Sequence, residues 1–155
     1  MDCSNGACMI NKESTQERKF VVIEEGAKKP VRSTKNSAGY DFYSCEDIVI
    51  HPGDTFLVST GIAVIMHEDE YLDLRIRSST SLKGIIFLNS CGVIDSDYFP
   101  NVIKCIMHNI SDTDFVVHKG DKIAQGIFTK YYLTDDDYVS EKSDRVGGFG
   151  STGGI

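Results

Sequence analysis

The sequence predicts an all-β fold of the jelly-roll type, a barrel or sandwich of short strands. Three observations lead there. Runs rich in β-branched and aromatic residues follow one another along the chain, and turn residues interrupt them at short intervals. A single stretch, Ser78 to Lys83, suits a helical turn, so the pattern is one of many short strands rather than of strands alternating with helices.

Taken in order, the runs are Phe20 to Glu24, Tyr40 to Tyr43, Asp47 to Ile50, Thr55 to Met66, Tyr71 to Arg77, Gly84 to Asn89, Val102 to Ile110 and Lys122 to Leu133. Pro52-Gly53-Asp54 separates the third from the fourth, with Pro fixing one φ and Gly taking the permissive position. His67 to Glu70 reads as a polar connection, and His118-Lys119-Gly120-Asp121 as a hairpin-like turn before the last run. Between Asn89 and Val102, the β-branched pair Val93-Ile94 runs straight into Asp95-Ser96-Asp97-Tyr98. A strand pattern ending in Asp-x-Asp reads as a turn, which sets an acid and a ring together at a rigid strand end.

At 155 residues the chain fits one domain and can bury roughly 70% of its unfolded surface. Composition divides it into a mobile N-terminal arm, 1–18, a β body, 19–133, and a flexible tail, 134–155. The arm is polar and lacks the apolar stretch of a signal peptide, and no apolar run approaches the ~20 residues of a membrane helix. Five cysteines cannot all pair within one chain, and no C-x-x-C occurs, so reduced thiols in a cytoplasmic setting are expected, with the nucleus also open. Cys45, Cys91 and Cys105 read as small core residues. A net charge of −7 argues against nucleic-acid binding but leaves a nucleotide ligand open.

The tail is too rich in Gly, Ser and acids to make a core. Its composition favours a disordered end, while Phe149 and Arg145 favour a lid that orders on a ligand. Gly148 to Gly153 matches G-x-G-x-x-G, but no helix can follow it as a dinucleotide fold requires. Its glycines still let backbone N–H groups approach phosphate oxygens.

Arg77-Ser78-Ser79-Thr80 reads either as a Ser/Thr helix cap or as an anion-binding cluster. Asp41, in a β-rich run, is either an outward strand residue or a carboxylate that helps hold a divalent cation. Gln125 suits a solvent-facing strand position, and Gly126 a bulge or a close approach. The four histidines are scattered without zinc spacing, and no G-x-S-x-G elbow occurs.

Five separated segments, in order, resemble the motifs of the homotrimeric deoxyuridine triphosphatases, the dUTPases. They are Ala38 to Ser44, Arg77 to Gly84, Asn89 to Tyr98, Lys119 to Gln125 and the glycine tail Arg145 to Gly153. The resemblance implies a trimeric β jelly roll with active sites at subunit interfaces, one chain's tail closing over a site built by the others. It implies hydrolysis of dUTP to dUMP and pyrophosphate with Mg²⁺, which limits uracil in DNA and supplies dUMP for dTMP synthesis. Asp95 would then activate the water that attacks the α-phosphorus, and Tyr98 would lie against the deoxyribose and exclude a 2′-hydroxyl. Asn89, Gly92, Val93 and Ile94 would meet the uracil. Arg77, Ser78, Ser79 and Gln125 would bind phosphate oxygens, and Asp41 would help hold Mg²⁺ through water. Phe149 and Gly150 would cover the base, and Arg145 and Ser151 would grip the distal phosphates.

Three departures stand out. Phe99-Pro100-Asn101 replaces the usual Arg-Gly-Glu, the second motif is one residue short between Lys83 and Gly84, and the fifth is one short between Arg145 and Gly148. Two alternatives therefore stay open: a weakly catalytic binding or regulatory relative, and a dCTP deaminase. The latter family uses a Glu base near the third motif, and none stands between Asp95 and Asn101.

Overall fold

Backbone pairing follows the β-rich runs. The structure, a computed structural model, describes residues 17–150. Eleven strands are formed: β1 (Lys19–Val22), β2 (Tyr40–Tyr43), β3 (Ile48–Ile50), β4 (Thr55–Ser59), β5 (Ile62–Ile65), β6 (Glu70–Ile76), β7 (Ile85–Phe87), β8 (Gly92–Asp95), β9 (Lys104–Asn109), β10 (Phe115–Val117) and β11 (Lys122–Lys130). One helical turn, α1 (Ser78–Ser81), interrupts them. All strand pairs are antiparallel. They build a four-stranded sheet β2-β11-β6-β8, a three-stranded sheet β4-β9-β7, and the pairs β1-β5 and β3-β10. This is the predicted jelly-roll-like, all-β class.

Alternation decides which side chains enter the core. Along β9, Cys105, Met107 and Asn109 are buried while Lys104, Ile106 and His108 face the other way. The interior is filled by Phe42, Ile50, Ile62, Met66, Leu72, Leu74, Ile85, Ile103, Met107 and Ile123, each at most 1% exposed. Each contributes about 1.5–3 kcal/mol by leaving water. Asn109 is the polar exception. It is fully buried and satisfied, donating to the Ile50 and Thr113 carbonyls at 2.8 Å and accepting from the Ser111 N–H at 2.9 Å.

Several sequence expectations change in detail. The run Thr55 to Met66 is two strands, broken at Gly61, whose φ is +67°. A Cβ there would come within 2.5 Å of Ala27 and 2.9 Å of the Cys45 Sγ, so only glycine fits. Strand β10 went unpredicted because a run of three residues carries too little pattern to stand out. Cys105 lies in the core, its thiol pushed up to about 12 by burial, but Cys45 and Cys91 are half-buried rather than core residues. At α1 the cap position belongs to Arg77 and no side chain caps it, so the Ser/Thr-cap reading fails. Gly126 marks a close approach, since a Cβ would meet the Phe42 ring at 2.7 Å; the bulge of β11 lies earlier, between Lys122 and Ala124.

Glu70, expected in a polar connection, is 4% exposed at the start of β6. It accepts hydrogen bonds from Arg18 Nε at 2.5 Å and from the His67 N–H at 3.0 Å. Burial pushes its carboxyl up, but these bonds outweigh burial and leave it below the usual range. Arg18, which composition placed at the end of the arm, is thereby tied to the β body. No helix among the described residues is long and apolar enough to cross a membrane.

Candidate active site

Strand β6 organises the site, with β8 on one edge and β11 on the other. Its first residues pair with the end of β8, Tyr71 opposite Asp95. Its last residues pair with β11, Arg75 opposite Gln125, and Gln125 in turn lies opposite Asp41 of β2. Arg77 follows directly after β6. From Tyr71 to Arg77 the chain advances about 20 Å at ~3.3 Å per residue, so the predicted residues fall into two separate clusters.

The first cluster surrounds a cavity of about 250 Å³ lined by Asn89, Gly92, Val93, Ile94, Asp95, Tyr98, Lys104, Ile106, Arg145, Gly148 and Phe149. Asp95 ends β8, and a 3-10 turn, Ser96–Tyr98, swings the Tyr98 ring round beside it. The turn that follows departs from the family motif yet closes soundly. Pro100 has no N–H to give, and Asn101 donates both its backbone N–H (2.9 Å) and its side-chain amide (2.8 Å) to the Tyr98 carbonyl. The Tyr98 hydroxyl reaches the Val102 carbonyl at 3.3 Å, and burial pushes its pKa up. Gly92 lies so close to Leu74 that a Cβ would meet it at 3.1 Å. β8 is the edge strand of its sheet, so its outer backbone edge is left for the cavity.

The tail forms the opposite wall. Gly148 packs on the Tyr98 ring, where a Cβ would come within 2.7 Å. Phe149 lines the cavity while 58% exposed, with φ +55°, a conformation uncommon for an aromatic residue, and Gly150 follows at φ +94°. Arg145 joins the two walls. Its Nε donates to Asp97 at 2.6 Å, an Nη donates to Asp95, and the other Nη donates to the Gly147 carbonyl at 3.1 Å. The Asp97 hydrogen bond, with the charges of Asp97 and Asp95, holds the guanidinium pKa above its usual value despite partial burial. Sequence reasoning passed over Lys104 and Ile106. Both stand on the outward face of β9, and strict alternation from the buried Cys105 and Met107 was the signal available.

The second cluster is cationic. Asp41, 7% exposed, is held by Lys122 at 2.8 Å, by Arg77 at 3.3 Å and by the Ser33 hydroxyl. Burial pushes this carboxyl up, but the Lys122 and Ser33 hydrogen bonds and the two cations outweigh burial and keep it below the usual range. Arg77, Ser79, Lys83 and Lys122 line a second cavity, of about 310 Å³, and Ser78 lines a neighbouring depression with Ser81. Gln125 packs over Gly39, where a Cβ would meet its Oε1 at 2.9 Å, which explains the glycine before Tyr40-Asp41. Among the described residues, no group of three or more His, Cys, Asp or Glu side chains is arranged to hold a metal ion. Ser151 lies outside the described residues.

Fold and clusters together define a β protein built to receive a ring beside a carboxylate at one place and an anion at another. The family described as dUTPase matches residues 25–153. The deoxyuridine 5'-triphosphate nucleotidohydrolase of Lactococcus lactis is 40% identical over 134 residues, covering 83% of this chain and 89% of that protein. The enzyme of the same name from a Helicobacter pylori strain is 38% identical, covering 87% and 95%. The crystal structure of the Streptococcus mutans dUTPase superposes with a TM-score of 0.72 at 36% identity, over 76% of this chain and 98% of that one. This chain belongs to the dUTPase family.

Proposed function

We propose that this chain hydrolyses dUTP to dUMP and pyrophosphate. The observation that carries the reading is the cavity in which Asp95 and Tyr98 face the backbone edge of Gly92 to Ile94 while the tail covers them with Phe149. Water is a poor nucleophile at neutral pH, and a fixed carboxylate that accepts its proton supplies about 10²–10⁴-fold. Asp95 is the carboxylate of this cavity and takes that role against the α-phosphorus. Backbone groups of β8 read the uracil edge, Asn89 stands beside them, and Tyr98 packs on the sugar. Rejecting a thymine methyl by bulk is worth about 1–3 kcal/mol, and mismatched hydrogen bonds reject cytosine more strongly. Lys104 is a cation in the cavity with no ion pair of its own among the described residues, and it faces the negative charge of the bound nucleotide.

The separation of the two clusters supports a trimer. Along β6 of the same chain, Gln125 stands about 13 Å and Ser78 more than about 20 Å from the level of Asp95 at ~3.3 Å per residue, with Gln125 on the opposite side of β6, so a triphosphate beside Asp95 does not meet both. A neighbouring copy brings its Arg77, Ser78, Ser79 and Gln125 to the phosphates. In this chain the described part of the tail, 134–150, reaches its own body through Arg145 and Gly148; in a trimer the same segment covers whichever copy's cavity it reaches.

Asp41 is held by Lys122, Arg77 and Ser33, so the cluster does not suit a resident ion. Its cations suit phosphate oxygens, and a Mg²⁺ chelated by those oxygens would be held by Asp41 through water, where it would supply charge neutralisation on the phosphate chain.

Incubation with each deoxynucleoside triphosphate and Mg²⁺ in ¹⁸O-water tests the proposal. dUTP should be consumed far faster than dTTP or dCTP, with the solvent oxygen in dUMP. Equal rates would refute the substrate, and label in pyrophosphate would refute attack at the α-phosphorus.

A further inference from the structure

We propose that Asp97 is a positioning residue that holds Arg145 by its Nε, so that the guanidinium's outer edge can pass from Asp95 to the substrate's phosphates. The proposal rests on the hydrolysis reading above. Three observations lead to it. Asp97 does not line the cavity, whereas Asp95 does, so Asp97 acts on the site only through another side chain. That side chain is Arg145, bonded to Asp97 through Nε at 2.6 Å and to Asp95 through an Nη. Finally, Arg145 carries the docking of the tail. Beyond Tyr131, its bonds are the ones that tie the tail to the body among the described residues, for those of Ser140 and Lys142 stay within the tail.

The contrast in exposure fits an anchor. Tyr132, Tyr138, Val139 and Val146 are all at least 70% exposed, while the Arg145 side chain is 18% exposed. A guanidinium carries five donors in a rigid fork. With Nε fixed on Asp97 and one Nη on the Gly147 carbonyl, rotation is restricted and the other Nη stays on the Asp95 side of the cavity. That Nη occupies an oxygen of Asp95. An arriving phosphate is a better bidentate partner for that edge, and its capture frees the Asp95 oxygen to accept the water proton. Asp97 thus links tail closure to release of the catalytic carboxylate.

The test is a double-mutant cycle on the full chain. Asp97→Ala should raise KM for dUTP roughly five- to tenfold with a smaller change in kcat, as loss of one half-exposed charge-assisted bond implies. In an Arg145→Ala background the same substitution should change nothing further, and Asp97→Glu should recover part of the loss. Additive effects, or an unchanged KM, would overturn the proposal. The chain contains no Trp, so Phe149→Trp provides a reporter that needs no turnover. Its fluorescence anisotropy in nucleotide-free protein should drop when Asp97→Asn or Asp97→Ala is added, and an unchanged anisotropy counts against the anchor. Should the native chain leave dUTP intact, the hydrolysis reading fails, while the anisotropy still judges the Asp97–Arg145 contact.

Discussion

Asp41 and Asp95 are both strand carboxylates paired with an arginine, yet they are held in opposite ways. Asp41 is 7% exposed, and every partner it has, Ser33, Arg77 and Lys122, comes from the β body. The Asp95 side chain is 47% exposed, and its arginine arrives on the tail, whose described residues contribute nothing to the core. A carboxylate caged by the body is a fixed part of the fold. One held by a removable arm can be exposed and covered again, as a group that must meet substrate requires.

Exchanging each charge separates the two roles most sharply. Asp95→Asn should lower kcat by about 10²–10⁴-fold, with an unchanged melting temperature and dUTP still bound, as steady-state kinetics, calorimetry and a binding titration would show. A substantial fall in melting temperature would make Asp95 a structural residue like Asp41. Ending the chain at Asp144 should lower turnover by about 10²-fold or more, since it removes a charge-stabilising arginine and the cover over the cavity. The same truncation should leave thermal unfolding unaltered, and a collapse of the melting temperature would show the tail to be part of the fold. Asp41→Ala should do the reverse and destabilise the protein by about 1.5–3 kcal/mol in denaturant titrations, because two cations and a hydroxyl lose a charged partner.

Acid provides the mildest probe. Asp41 and Glu70 both have pKa values lowered by folding. Such a carboxylate contributes its full stability above its unfolded value, near 4, and loses it as pH falls through the lower folded value. Unfolding free energy should therefore decline below about pH 4, and the decline should be shallower in Asp41→Asn. An identical acid limb in that variant would mean that Asp41 gains nothing from its cage.

The chemistry of the site was far more legible than its geometry. Asp95, Tyr98 and the Gly92 to Ile94 edge announce themselves, because an acid and a ring at the end of a β-branched run leave few local alternatives. Phe149 and Arg145 stood out in a glycine-rich tail for the same reason. Lys104 and Asp97 did not, for a lysine on a strand and an acid in a turn are ordinary in sequence and become notable only through their neighbours. Sequence places Glu70 in a polar connection because its partner, Arg18, is 52 positions away in the chain.

Local sequence determined the all-β class, the two faces of strands such as β7 and β9, and the glycines at turns. These depend on alternation and on allowed backbone angles, which a few consecutive residues specify. Tertiary structure alone decided that β6 separates the cationic cluster from Asp95, that Asp41 is caged, and that Arg145 bridges Asp95 and Asp97. Each depends on strand register and on ion pairs between residues far apart in the chain, and no short window of sequence contains both partners.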